Sequence, residues 1–180
     1  MDKEIIDYVR TCKTCQTQKL TRIRPTKIPT MTDTPTEPND KIVMNIFGPL
    51  RKTRKKNEYI LSIQDMLTKY LILIPIPNPK AETIISKLIE HYIYIFSSPK
   101  HILTNQGSNF VCKLMSEFER TFQIKHIKTT AFHPQSNASL ETHAVIKDLI
   151  KTCIADKNNE WDENLNIICM VYNTSVHENY

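Results

Sequence analysis

At 180 residues, with 40% hydrophobic and 24% charged content, the chain has the size and balance of one globular domain, or of one domain with a short appendage. Its formal charge of +5 permits a polyanionic partner without demanding one. No apolar run, not even 70–77, approaches the ~18 residues of a membrane helix, the opening Met-Asp-Lys-Glu carries no apolar signal region, and five cysteines in a lysine-rich chain point to a reducing nuclear or cytoplasmic compartment without disulfides.

Residues 1–19 read as a short helix, Glu4 to Arg10, followed by Cys12-Lys-Thr-Cys15. One CxxC supplies two thiolates where a structural zinc takes four ligands. Cys12 and Cys15 are therefore half a zinc site or two ordinary thiols. No strand leads into the motif, which argues against a thioredoxin-type redox pair. Residues 20–40 carry Pro25, Pro29, Pro35 and Pro38 among threonines, the composition of an extended linker. A folded domain is expected over 41–180.

Ile42–Phe47, Tyr59–Ile63 and Tyr70–Ile76 are β-branched and aromatic runs of strand length, close enough together to pair antiparallel. Between the first two lie Arg51, Lys52, Arg54, Lys55 and Lys56, either a hairpin tip that grips phosphates or a solvated loop. Asn78-Pro79 predicts a helix start. Ile84, Ile85, Leu88, Ile89, Tyr92, Ile93 and Phe96 then recur at helical spacing and predict an amphipathic core helix. His91 on that helix reads as a surface residue. Ser97-Ser-Pro99 ends it, and His101–Thr104 predicts the central strand. Asn105-Gln-Gly107 is a turn and Phe110 opens a helix that runs from about 111 to 122. A strand over 124–130, a polar loop over 131–137, a helix to about 155 and a last helix over 161–173 complete the chain. The order predicts a mixed five-stranded sheet flanked by helices, an α/β fold, with a short N-terminal helical appendage.

A polar residue at the tip of a strand points into the crevice where α/β sheets bind their ligands. Asn105 stands at such a tip. Asn45 on the first strand and Glu141 on a following helix can reach the same place.

These stretches resemble the integrase catalytic core of retroviruses and gypsy-type LTR retrotransposons. The resemblance is carried by Gly48-Pro-Leu50, Gln64-Asp-Met-Leu-Thr-Lys-Tyr70, Gln106-Gly-Ser-Asn-Phe110, Thr129-Thr-Ala-Phe-His-Pro-Gln-Ser-Asn137, and Trp161 with Tyr172-Asn173. It covers 41–180, and the cysteine and linker regions fit it too. It implies a ribonuclease H-like fold, DNA as partner, possible homo-oligomers, and a reaction that cleaves and joins DNA. In that reaction two Mg²⁺ or Mn²⁺ ions, ~3.5–4 Å apart, clamp the attacking and leaving oxygens. The family holds them with Asp, Asp and Glu, because hard cations want charged oxygens.

Here the resemblance puts Asn45 and Asn105 at the two aspartate positions and Glu141 at the third. Thirty-five residues lie between Asn105 and Glu141, the family's spacing. Register is kept while two of three charges are gone. At ~4 Å and an effective dielectric of ~20, each lost unit charge removes about 4 kcal/mol of gross attraction per unit of cation charge. The expectation is a metal pair that does not assemble, with Glu141 holding at most one weak ion, and no strand transfer. Asp65, near the first strand, is the nearest candidate for a replacement carboxylate, and the family carries an Asp there without using it as a ligand.

Further departures suggest a degenerate copy. One residue is missing between Glu141 and His143 relative to the family, unless the helix starts after Glu141. Ala138 takes the place of a loop glycine, and Ser97 or Ser98 that of a glycine before Pro99. Met1 falls after the family's two zinc-binding histidines and Tyr180 before its closing segment, so both ends are expected to be cut and zinc binding is expected to be incomplete. Nucleic-acid contacts are expected from Arg51–Lys56, Lys125, Lys128 and the loop bearing His133, Gln135 and Asn137.

Overall fold

The computed structural model describes residues 35–105, 107–128 and 160–175. The chain divides into two units, Met1–Thr30 and Met31–Tyr180, and every described element belongs to the second. Cys12, Cys15, His133, Gln135, Asn137, Ala138 and Glu141, the N-terminal helix and the predicted helix to 155 lie outside the described residues.

Five strands form one mixed sheet: β1 (Lys41–Phe47), β2 (Tyr59–Asp65), β3 (Leu71–Ile76), β4 (His101–Thr104) and β5 (Lys125–Lys128), in the order β3-β2-β1-β4-β5. The first three pair antiparallel, as their close spacing predicts, while β4 and β5 join parallel to β1. β1, not β4, is therefore the central strand. The connection from β3 crosses the sheet and delivers β4 to the far side of β1, which the chain order of the strands does not show.

Alternation along each strand sends successive side chains to opposite faces. On the first face Ile42 and Met44 of β1, Leu61 and Ile63 of β2, Ile74 and Ile76 of β3 and Ile102 of β4 pack with Ile84, Leu88, Tyr92, Met115 and Phe118. The last five come from α1 (Ala81–Leu88), its π-helical continuation Ile89–Ile93, and α2 (Lys113–Thr121). On the second face Ile60, Leu71 and Leu73 meet Trp161, Leu165, Ile168 and Tyr172, from a single 3-10 turn (Trp161–Glu163) and α3 (Leu165–Thr174). A fully buried side chain of this kind contributes about 1.5–3 kcal/mol.

Several boundaries differ from the sequence expectation for local reasons. α1 starts at Ala81 with Lys80 at its cap. Asn78 instead folds its own turn, its Oδ1 accepting from Lys80 N–H at 3.1 Å and Thr83 Oγ1 at 2.9 Å. Phe110 does not open α2; it is a buried anchor in the turn ahead of it. The last helix is broken at Asn164.

Asn39, at the end of the proline-rich stretch, is tied into the domain. It stands at φ 68°, and its Nδ2 donates to the carbonyl of Phe96 at 2.9 Å, at the end of the first helical run. The hydroxyl of Tyr92 donates to its Oδ1 at 3.0 Å. Burial, and then the charge of Asp65, push the Tyr92 phenol well up, which keeps it a donor.

Ser97 ends that helical run at φ 70°, ψ 179°, a region that suits glycine. Of Ser97 and Ser98, it is the one with positive φ and so the one that stands in for the missing glycine. Ser97→Gly is expected to raise stability by about 1 kcal/mol in a reversible thermal or denaturant melt, because relief of the strained backbone outweighs the added freedom of the unfolded chain.

Candidate functional site at the strand tips

Parallel pairing matches Met44 with Thr104. Asn45 and Asn105 each follow by one residue, so the two amides occupy neighbouring strands whose backbones run about 4.8 Å apart. By alternation both belong to the second face. Asn45 lies within β1, opposite Ser62, whose hydroxyl donates to the Asn45 carbonyl at 3.4 Å, and is only 6% exposed. Asn105 is exposed just beyond β4. Its Oδ1 accepts the N–H of Gly107 at 3.0 Å, closing an Asx turn. A Cβ on Gly107 would sit 3.0 Å from that oxygen, so the tight turn favours glycine.

The chain's other glycine borders the same region. Gly48, after β1, stands at φ 138°, and a Cβ there would meet Tyr59 Cδ1 at 2.6 Å and the Glu58 carbonyl at 2.8 Å. The chain's two glycines thus sit on the loops leaving β1 and β4, each where an added Cβ would crowd a neighbour.

Sequence reasoning missed the group behind the β4 tip. Thr104 Oγ1 donates to the Asn105 carbonyl at 2.8 Å and contacts His126 Nε2 at 2.7 Å. His126 Nδ1 lies 2.8 Å from Glu119 Oε1. Burial pushes the imidazole below its usual range and the Glu119 carboxyl above its own, with Lys128 nearby opposing the rise at Glu119 and adding to the fall at His126. Both groups thus lean towards their neutral forms. Glu119, His126, Thr104 and the Asn105 carbonyl form one contiguous polar chain that ties α2 to the β4 tip. The spacing that signals it, Thr104 on one parallel strand and His126 on the next, is legible only once register is known.

Asp65 does not replace a lost carboxylate. It pairs with Ile42, three residues along β1 from Asn45, or about 10 Å. Both its oxygens are already committed: Oδ2 to Asn39 N–H at 2.7 Å, Oδ1 to Leu67 N–H, Thr68 N–H and the Thr68 hydroxyl at 3.0, 2.7 and 2.9 Å.

The five cations of the β1–β2 loop are not a free comb. Lys52 pairs with Glu58 at 2.7 Å, Arg54 with Glu160 at 3.2 Å and Lys55 with Glu163 at 3.4 Å. Only Arg51 and Lys56 make no ion pair among the described residues. The loop is docked onto the 3-10 turn, where Trp161 Nε1 donates to the Arg51 carbonyl at 2.7 Å and buried Thr53 donates to Asp162 at 2.9 Å. On β5, Lys125 and Lys128 are both exposed but three residues apart, so alternation turns them to opposite faces. Lys128 pairs with Thr104 beside the strand tips, whereas Lys125 pairs with His101 at the other end of β4.

The strand tips fit a divalent metal pair poorly. Asn105 directs its acceptor oxygen back into its own turn, and Asn45 contributes no charge. Among the described residues no three His, Cys, Asp or Glu side chains gather as a metal site, and none of their helices is long and apolar enough to cross a membrane.

No protein-family model matches the chain. It is 34% identical over 176 residues, 97% of its length, to the retrovirus-related Pol polyprotein from transposon 412 of Drosophila melanogaster. It is 24% identical over 172 residues to the Gypsy retrotransposon integrase-like protein 1 of Homo sapiens. The chain spans 14% of the first relative and 32% of the second. Among solved structures it resembles the HTLV-2 integrase catalytic core domain in complex with magnesium, with TM-score 0.62, 20% identity, and coverage of 79% of this chain and 90% of that one. It also resembles a chain of the simian T-cell lymphotropic virus intasome, with TM-score 0.63, 16% identity, and coverage of 100% of this chain and 62% of that one. At these identities the structural likeness establishes the fold alone, the one seen in these integrase catalytic cores.

Proposed function

Since this chain's homologues are Pol and integrase-like proteins of the gypsy and retroviral kind, and its fold is that of an integrase catalytic core, we propose that it is a nucleic-acid-binding integrase core without strand-transfer activity. The observation that supports this reading is the parallel β1–β4 register, which sets Asn45, within β1, on the strand next to Asn105, just beyond β4; the resemblance puts both where the family has aspartates. A magnesium-bound core is among its structural relatives, but a pair of amides does not supply the charge that two hard dications need. Glu141, the remaining carboxylate of the set, cannot hold both ions alone, and without them the joining step has no clamp.

Nucleic-acid binding then rests on Arg51, Lys56 and Lys128, which make no ion pair among the described residues, on Lys125 on the opposite face of β5 from Lys128, and, as expected from the sequence, on the loop bearing His133, Gln135 and Asn137. Self-association belongs to the same reading. Ile167, Met170 and Val171 stand exposed along α3, an apolar stripe that a second copy would cover.

Purified protein with Mn²⁺, a labelled donor end and target DNA is expected to give no joined product above background. Product that disappears in Glu141→Gln would contradict the reading and mark an active integrase with an unusual ligand set.

A further inference from the structure

Asn105 presents the wrong end of its amide to a cation. A backbone N–H can only donate, so the 3.0 Å contact from Gly107 settles which end of the amide is the oxygen. The Nδ2 group makes no hydrogen bond among the described residues, and the residue that carries it is exposed. Beneath it the backbone is held in place, because Thr104 donates to the Asn105 carbonyl at 2.8 Å and is itself bonded to His126. One strand away, Asn45 adds a second neutral amide where a carboxylate would repel an anion.

We propose that the strand tips bind a nucleic-acid phosphate oxygen directly, with the Asn105 amide N–H groups donating to it and no divalent ion in between. The assignment rests on the nucleic-acid-binding reading and deepens it. A carboxylate at this position repels phosphate unless a metal ion bridges the two. An amide removes the repulsion at this position, leaving Glu141 as the one carboxylate of the set, and offers two donors in its place. The change that disables metal chemistry therefore turns the same spot into an anion site, and DNA binding becomes independent of magnesium.

The test is fluorescence polarisation with labelled duplex DNA, in EDTA and in excess MgCl₂, on the full chain. Wild type is expected to bind equally in both. Asn105→Asp still accepts the Gly107 N–H, so it folds, yet it puts an anionic oxygen in the place of Nδ2. It is expected to bind about tenfold more weakly in EDTA and to regain part of the loss in MgCl₂. Asn105→Ala loses the donors without adding charge, so it should weaken binding less and show no response to magnesium. Ser86→Asp, on the exposed face of α1, carries the same charge change as Asn105→Asp and should leave affinity unchanged. Magnesium-dependent binding by wild type, or equal affinities of wild type and Asn105→Asp in EDTA, would overturn the assignment while leaving nucleic-acid binding standing. No DNA binding by wild type under either condition would overturn both.

Discussion

Asp65→Ala is expected to cost about 3 kcal/mol and to lower the melting temperature by roughly 10 °C. Asp65 is 5% exposed and accepts four hydrogen bonds, from the backbone of Asn39, Leu67 and Thr68 and from the Thr68 hydroxyl. Alanine leaves four donors without an acceptor in a place that water reaches only partly, at about 1 kcal/mol or somewhat less each. The loss spreads beyond the β2–β3 turn. Asn39, held by Oδ2, is the residue that ties the Phe96 carbonyl to the domain and accepts from Tyr92. Asp65→Asn should fall between the two, since one amide oxygen can still serve Leu67 and Thr68 while its nitrogen opposes the Asn39 N–H. Chemical denaturation of the three proteins gives the ranking. An Asp65→Ala protein as stable as wild type would show that this carboxylate is not the structural post assigned to it.

Asp162→Ala is expected to cost about 2–3 kcal/mol, while Asp162→Asn changes stability by less than about 1. The Asp162 Oδ2 accepts from the buried Thr53 hydroxyl at 2.9 Å and from Asn57 Nδ2 at 2.8 Å. Its Oδ1 is buried and without a hydrogen-bond partner among the described residues. An asparagine that keeps its oxygen on Thr53 and Asn57 puts its nitrogen at the orphaned position and carries no charge to desolvate. Alanine instead strands both donors and loosens the basic loop, leaving the Trp161–Arg51 hydrogen bond and surface ion pairs, each of the latter worth at most about 1 kcal/mol, to hold it. Equal losses in the two variants would mean that charge, not hydrogen bonding, docks the loop.

Much of the fold was legible from periodicity. The three opening strands, their antiparallel pairing, and the stripe from Ile84 to Ile93 follow from alternation at two and at three to four residues, whereas Phe96, expected on the same stripe, is exposed beyond the core. What periodicity does not show are features decided by tertiary contacts. Asn78 has the chemistry of a helix cap and spends it on its own turn, because Lys80 and Thr83 are within reach. Five cations in six residues leave a phosphate grip and a solvated loop both open, and nothing local announces that Glu58, Glu160 and Glu163 meet three of them.

The candidate site was legible in part. Asn45 and Asn105 can be located by motif, but their adjacency depends on the β1–β4 register, and the amide orientation of Asn105 depends on one hydrogen bond to Gly107. Tyr172 and Asn173 turn out to have structural roles: Gln64 donates to the Tyr172 hydroxyl at 2.9 Å, and Asn173 bonds both backbone groups of Leu71 at 2.7 and 2.9 Å. A family motif marks such residues without saying whether they hold substrate or hold a sheet edge.

Calorimetric titration of Mn²⁺ into wild type and into Asn45→Asp/Asn105→Asp, each with and without Glu141→Gln, addresses the strand tips most directly. Wild type should give no saturable heat, and the double replacement should restore ion binding that depends on Glu141. Two ions taken up by wild type, and lost in Glu141→Gln, would mean that the amides do coordinate the metal pair.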